Sequence, residues 1–157
     1  MSIPMQIVIL EDNADRCRIM KDCLADRFPQ YPVLLFRAAP AMTRYLGRAM
    51  DRVLAISLDH DLEPATLEPD DVDPGTGRDV ADFLATRSPT CPIVIHSSNT
   101  FGALGMKDVL EQANWLTYSV TPYDDTAWIP QVWFPTMRRA IVNGVASGIA
   151  PQPISQD

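Results

Sequence analysis

Asp59, His60 and Asp61 stand at the end of an apolar run, Val53 to Leu58, broken only by Ser57. Nothing apolar is gained by placing two carboxylates and an imidazole there. In open parallel sheets the carboxyl ends of the strands are where ligands bind, so a buried strand that ends in charge marks a candidate site. Two other apolar runs finish in the same way. Gln6 to Leu10 is followed by Glu11, Asp12 and Asn13, and Pro92 to Ile95 by His96, Ser97, Ser98 and Asn99. Both histidines of the chain fall in this set. Carboxylates gathered at one place repel one another, so they either raise one another's pKa or hold a cation. Oxygen ligands at this density suit Mg2+, or Mn2+, with a shell completed by water and phosphate oxygens. Glu11, Asp12, Asp59 and Asp61 are the candidate ligands. Zn2+ fits less well, because no cysteine is expected at these strand ends and the chain has no His-x-x-x-His pair.

These residues need elements to carry them. Gln6 to Leu10, Val33 to Phe36, Val53 to Leu58, Pro92 to Ile95 and Trp115 to Thr121 read as strands. Between and after them, Ala14 to Phe28, Pro40 to Met50, Gly77 to Arg87, Ala103 to Ala113 and Pro130 to Val145 read as helices; in the first, Cys17, Ile19, Met20, Cys23, Leu24 and Phe28 recur at helical spacing. Strands alternating with helices predict βαβ units, a parallel sheet, right-handed crossovers and helices on both faces. With a flavodoxin-like strand order of 2-1-3-4-5, the first, third and fourth strands are neighbours. Their ends, from Glu11 to Asn99, then surround one cleft. The stretch Glu63 to Thr76 is acidic and broken by Pro64, Pro69 and Pro74. It reads as a loop, either a lid or a disordered insertion.

A chain of 157 residues with 46% hydrophobic and 21% charged content suits one α/β domain, residues 1–146, followed by a loose tail, 147–157. The net charge of −7 argues against an extended nucleic-acid interface, although a contact limited to one phosphate or one strand end fits. No window approaches the ~18 apolar residues of a membrane span, and no basic region followed by a long apolar one opens the sequence. The expected location is the cytoplasm. Cys17, Cys23 and Cys91 show no Cys-x-x-Cys spacing and are expected as free thiols.

From Gln6 to Val145 the chain resembles a response-regulator receiver domain, whose fold is the doubly wound, CheY-like sheet of five parallel strands. Glu11 and Asp12, directly after Ile-Val-Ile-Leu, resemble the acidic pair that holds Mg2+ in that family. Leu58-Asp59-His60-Asp61-Leu62 resembles the segment of the phospho-accepting aspartate, which makes Asp59 the matching residue. Gly77 fits the glycine that follows, Ser97 the switch Ser/Thr, and Tyr118 the switch aromatic. Val120-Thr121-Pro122-Tyr123 resembles Val-Lys-Pro-Phe, with Thr121 where receivers have lysine. A threonine can donate a hydrogen bond to phosphate but brings no charge.

The added His60, Asp61 and His-Ser-Ser-Asn segments resemble a cyclic-phosphate processing branch of receivers, which implies action on cyclic phosphates of nucleotides or RNA ends. Under that implication Glu11, Asp12 and Asp59 hold a divalent cation, and His60 or His96 acts as general acid or base. Ser97, Ser98, Asn99 and Thr121 hold phosphate oxygens. In a covalent variant Asp59 attacks phosphorus itself. The alternative is a stand-alone receiver or pseudo-receiver in a phosphorelay, phosphorylated at Asp59 by a histidine kinase or phosphotransfer protein and using Tyr118 and the last helix as its partner surface. Core packing is the simpler expectation for Tyr118, Trp115 and Trp128, and Ser97 could serve as a helix cap.

Overall fold

The computed structural model describes residues 4–63 and 73–146. The expected tail, 147–157, and most of the expected 63–76 loop lie outside the described residues. Five strands, β1 (Gln6–Leu10), β2 (Val33–Phe36), β3 (Val53–Leu58), β4 (Ile93–His96) and β5 (Thr117–Val120), pair in parallel in the order β2-β1-β3-β4-β5. This is the order expected from the sequence. Helices α1 (Ala14–Arg27) and α5 (Phe134–Ala146) cover one face, and α2 (Ala39–Ala49), α3 (Gly77–Ala85) and α4 (Thr100–Gln112) the other. Every residue of β3, the middle strand, is buried. A strand covered on both faces must be apolar along its length, and each large aliphatic side chain so buried contributes roughly 1.5–3 kcal/mol. Ser57 is the exception to that rule in β3.

Register, more than strand order, builds the site. Leu10 lies opposite Leu58, and Leu58 opposite Ile95. One residue further along each strand come Glu11, Asp59 and His96, which therefore stand abreast at the carboxyl edge of the sheet. The Asp59 amide N–H donates to the Leu10 carbonyl at 3.1 Å, which keeps β3 and β1 in step to the last residue. Side chains alternate faces along a strand, so Ser57 shares the face of Asp59.

Three elements differ from the sequence expectation. Helix α4 starts at Thr100, not Ala103, because the Asn99 side chain accepts the Gly102 N–H and caps it. Strand β5 is shorter than Trp115 to Thr121: Asn114 takes a φ of 70°, and the Trp115 N–H turns back to the Leu110 carbonyl. The last helix opens with a widened π turn, Ile129–Trp133, in which the Phe134 N–H reaches the Ile129 carbonyl five residues back. Pro135 has no N–H to give the Gln131 carbonyl, which falls inside that turn. On a regular helix residues five apart point roughly 140° apart. Here Trp128 and Trp133 are both fully buried. No helix among the described residues is long and apolar enough to cross a membrane.

Candidate functional site

One ligand atom each from Glu11, Asp59 and His96 lie within 4.8 Å of one another. Glu11 and His96 are fully buried and Asp59 is 7% exposed. The chain turning into α1 fixes Glu11, whose Oε2 accepts the Asp12 and Asn13 N–H groups at 2.9 and 3.0 Å. Its Oε1 lies 3.4 Å from His96 Nε2, and neither atom has a hydrogen-bond partner. The closest cation to Oε1 among the described residues is the Arg16 guanidinium at 3.6 Å, which also lies over the Trp128 ring. On its other side, His96 Nδ1 lies 2.7 Å from Ser57 Oγ, and Ser57 Oγ accepts the Trp133 indole N–H at 3.0 Å. Trp128 stacks on the imidazole and Trp133 meets it edge-on. The widened turn of the last helix thus supplies two of the walls around His96.

The electrostatics separate the three acids. Burial pushes Glu11 up, but the facing His96 and the backbone amide of Asn13 outweigh it and hold the carboxyl at about 2. Asp59 is pushed from 3.8 to about 6, chiefly by burial, with the neighbouring Glu11 and Asp12 adding to the rise. Asp12 is also raised, by burial and by Glu11. Two carboxyls that face the same few ångströms of dry space are therefore held at different protonation tendencies, the arrangement expected of a functional cluster.

A second cluster sits at the rim. The His60 amide donates to Asp59 Oδ1 at 2.7 Å, while the His60 ring lies against Gly102 of α4, largely covered, and its Nδ1 meets Asp61 Oδ1 at 2.8 Å. The Asn99 side-chain amide donates to Asp61 Oδ2 at 3.2 Å. The hydrogen bond from His60 holds Asp61 below the usual aspartate range. Two glycines let this cluster close up. A Cβ on Gly102 would fall 2.5 Å from His60 Cγ, and one on Gly77 would fall 1.8 Å from the Asp59 carbonyl oxygen. The Gly77 N–H donates to the His60 carbonyl at 2.8 Å, and Asp61 bridges to Thr76, so both ends of the 63–76 stretch are tied to the site.

The candidates from sequence therefore fall into distinct places. Glu11, Asp59 and His96 converge. Asp12 stands beside them, its carboxylate accepting the Glu63 N–H. Asp61 faces His60 and Asn99. Ser97 is buried and its Oγ accepts the Asn99 N–H at 3.1 Å; the cap of α4 is Asn99, not Ser97. Ser98 and Thr121 are exposed. Asn99 spends its carbonyl on Gly102 and its amide on Asp61. Trp115 and Trp128 are core residues, as expected, whereas Tyr118 is half-buried, with its hydroxyl accepting from Asn143 and its ring against Arg139. The three cysteines are free, Cys91 buried and Cys17 and Cys23 half-buried. Sequence reasoning missed Ser57, Trp133 and Gly102. The signal for Ser57 was present, a lone hydroxyl two residues before Asp59 in an otherwise apolar strand.

Residues 7–112 match the family described as the cyclic-phosphate processing receiver domain. No curated protein matches the sequence. Among solved structures, the phosphorylated cyanobacterial phytochrome response regulator RcpA superposes with a TM-score of 0.68 at 16% identity, covering 98% of this chain and 100% of its own. The response regulator domain of CheB from Thermotoga maritima gives a TM-score of 0.60 at 15% identity over 89% of this chain and 98% of that one. The Mn2+-bound form of the response regulator Rcp1 gives 0.58 at 14% identity over 97% of this chain and 100% of that one. At these identities the structural likeness concerns the fold.

Proposed function

We propose that this chain, which belongs to the cyclic-phosphate processing receiver family, opens a cyclic phosphate on a nucleotide or RNA end with a divalent cation held by Glu11 and Asp59. The observation that carries this reading is the meeting of two unlike clusters at one sheet edge. One is sealed and acidic; the other presents an imidazole at the rim, held by a carboxylate. Glu11 Oε1, buried and without a hydrogen bond, fits a cation-binding role. The Mn2+-bound relative Rcp1 supports the same choice of ion class, and Mg2+ remains the other candidate. When bound, the cation would polarise the phosphate and offset its charge.

The chain's own groups divide the remaining work. Asp61 holds the His60 Nδ1 side of the ring, so Nε2 is the nitrogen left for proton transfer. His60 takes a proton from a water as its oxygen attacks phosphorus; the ring P–O bond breaks, and the proton passes to the departing ribose oxygen. The product is a phosphomonoester. His96 is too deeply sealed for that exchange. Ser98 and the start of α4 face the incoming phosphate, where a helix N-terminus favours negative charge. With Thr121 in the lysine position, phosphorelay signalling lacks its usual charged partner for a phosphoryl group.

The test is incubation of the full chain with a 2′,3′-cyclic nucleotide and Mg2+ or Mn2+, followed by 31P NMR, with acetyl phosphate in parallel. Ring opening that falls 10²–10⁴-fold in His60→Ala is the expected result. Stable phosphorylation of Asp59 without ring opening would overturn it and leave the signalling reading.

A further inference from the structure

We infer that His96 is itself a ligand to the cation through Nε2, and that the pocket therefore selects a nitrogen-accepting transition dication over Mg2+. This deepens the function proposed above and rests on its premise that a cation binds between Glu11 and Asp59. The first observation is a pair of orphaned atoms: His96 Nε2 and Glu11 Oε1 are buried, 3.4 Å apart, and neither has a hydrogen-bond partner. A direct charge-assisted hydrogen bond would bring them to about 2.7–2.9 Å. Their spacing is instead suited to a shared third body. Asp59 brings its own carboxylate oxygen within the same 4.8 Å.

The second observation is on the far side of the ring. Histidine ligands to metals typically engage their other nitrogen with an outer partner that fixes the ring's plane and tautomer. His96 Nδ1 has one in Ser57 Oγ at 2.7 Å, and Ser57 is in turn anchored by the Trp133 indole. Trp128 and Trp133 hold the imidazole between stacked and edge-on contacts and keep water from it. Such an apparatus is superfluous for a histidine that merely fills space. Two carboxylates and one imidazole make three protein ligands with coordination positions left for substrate, a pattern of catalytic transition-metal sites. Mg2+ is served by oxygen alone, whereas imidazole suits Zn2+ and its neighbours in the first transition row.

The experiment uses the full chain labelled with 15N-histidine, which contains two imidazoles, and titrates Zn2+ and Mg2+ separately by calorimetry and NMR. The expected result is one equivalent of Zn2+, movement of one imidazole Nε2 resonance to a metal-bound position, and loss of that equivalent in Asp59→Asn. His96→Gln should lower the ratio of Zn2+ to Mg2+ affinity at least tenfold, and Ser57→Ala should weaken Zn2+ 10–100-fold. If His96→Gln does not fold, the resonance shift in the unaltered chain decides alone. Zn2+ binding that leaves both imidazoles unmoved, or an unchanged affinity ratio in His96→Gln, would overturn the inference while leaving a carboxylate-held cation intact. Failure of any dication to bind at one equivalent would remove the function proposed above, and this inference with it.

Discussion

Replacing Asp59 by Asn should stabilise the metal-free protein at pH 8. The folded chain holds the Asp59 proton up to about 6, against an ordinary value of 3.8, because the carboxyl is buried beside Glu11 and Asp12. A group that binds its proton more tightly when folded lowers stability as pH rises. The favourable difference is present in full below 3.8 and is lost as pH climbs through about 6. At about 1.4 kcal/mol per pH unit, the ionised side chain costs the fold about 3 kcal/mol at pH 8. Asparagine escapes that cost and keeps an oxygen for the His60 N–H. Its NH2 group, left without an evident acceptor, gives back about 1–2 kcal/mol. A net gain of about 1–2 kcal/mol remains, or roughly 2–8 °C in Tm for a chain of this size.

Urea denaturation in EDTA at pH 5 and pH 8 measures this directly. Glu11, held at about 2, loses its contribution only in much stronger acid and does not disturb the comparison. At pH 5 about half of the Asp59 cost, roughly 1.6 kcal/mol, is already present because the unfolded side chain is ionised, and the unpaired amide cancels it, so the variant should have little advantage. Adding a saturating dication at pH 8 should then reverse the order, since ligand at 100 times its Kd stabilises the chain that binds it by about 2.7 kcal/mol. A variant less stable than the parent at pH 8 in EDTA, or equally advantaged at both pH values, would refute the idea that burial beside other acids strains the ionised Asp59.

Gly102→Ala should fold, because alanine gains about 1 kcal/mol of helix propensity over glycine, yet its Cβ lands on the His60 ring. Ring opening should drop as far as in His60→Ala, and the double variant should lose nothing more. Gly77→Ala meets backbone at the Asp59 carbonyl and should cost at least about 3 kcal/mol in urea unfolding. Asp61→Ala should lower kcat about 10²-fold or more with little change in KM, since it removes the acceptor that orients His60; an equal rise in KM would place Asp61 in substrate binding instead.

The strand ends were legible in the sequence because apolar runs that stop abruptly in Glu-Asp, Asp-His-Asp and His-Ser-Ser-Asn leave little doubt where the sheet edge falls. Which of these residues meet was not. Along a continuing strand Asp59 and Asp61 would share a face, but β3 stops at Leu58, the chain bends at His60, and the two carboxylates part. The cap of α4 was ambiguous for a related reason. Ser97, Ser98 and Asn99 are all good N-cap residues; in the fold Asn99 accepts the Gly102 N–H, while Ser97 accepts the Asn99 N–H instead. Trp128 was expected in the core, but Trp133 was hidden by its spacing of five from Trp128, which matches no helical period until Pro135 and the widened turn are taken into account.

Charge at the edge of the sheet argues for the cation independently of which ligands hold it. Glu11, Asp12 and Asp59 stand together; Arg16, at 3.6 Å from Glu11, is partly drawn over Trp128, and Arg37 donates to the Asp12 carbonyl at 2.9 Å. A phosphate diester arriving there would add a further negative charge to a region where burial, with Glu11 and Asp12 adding to it, already pushes Asp59 up to about 6. Receivers answer the same difficulty with a metal and a lysine, and here the lysine position holds an exposed, neutral Thr121. Under the proposed function, more of the neutralisation of phosphate would therefore fall on the cation. Its hold on the pocket matters correspondingly more, and an imidazole fixed by Ser57 and two indoles is a means of strengthening that hold without adding another negative charge.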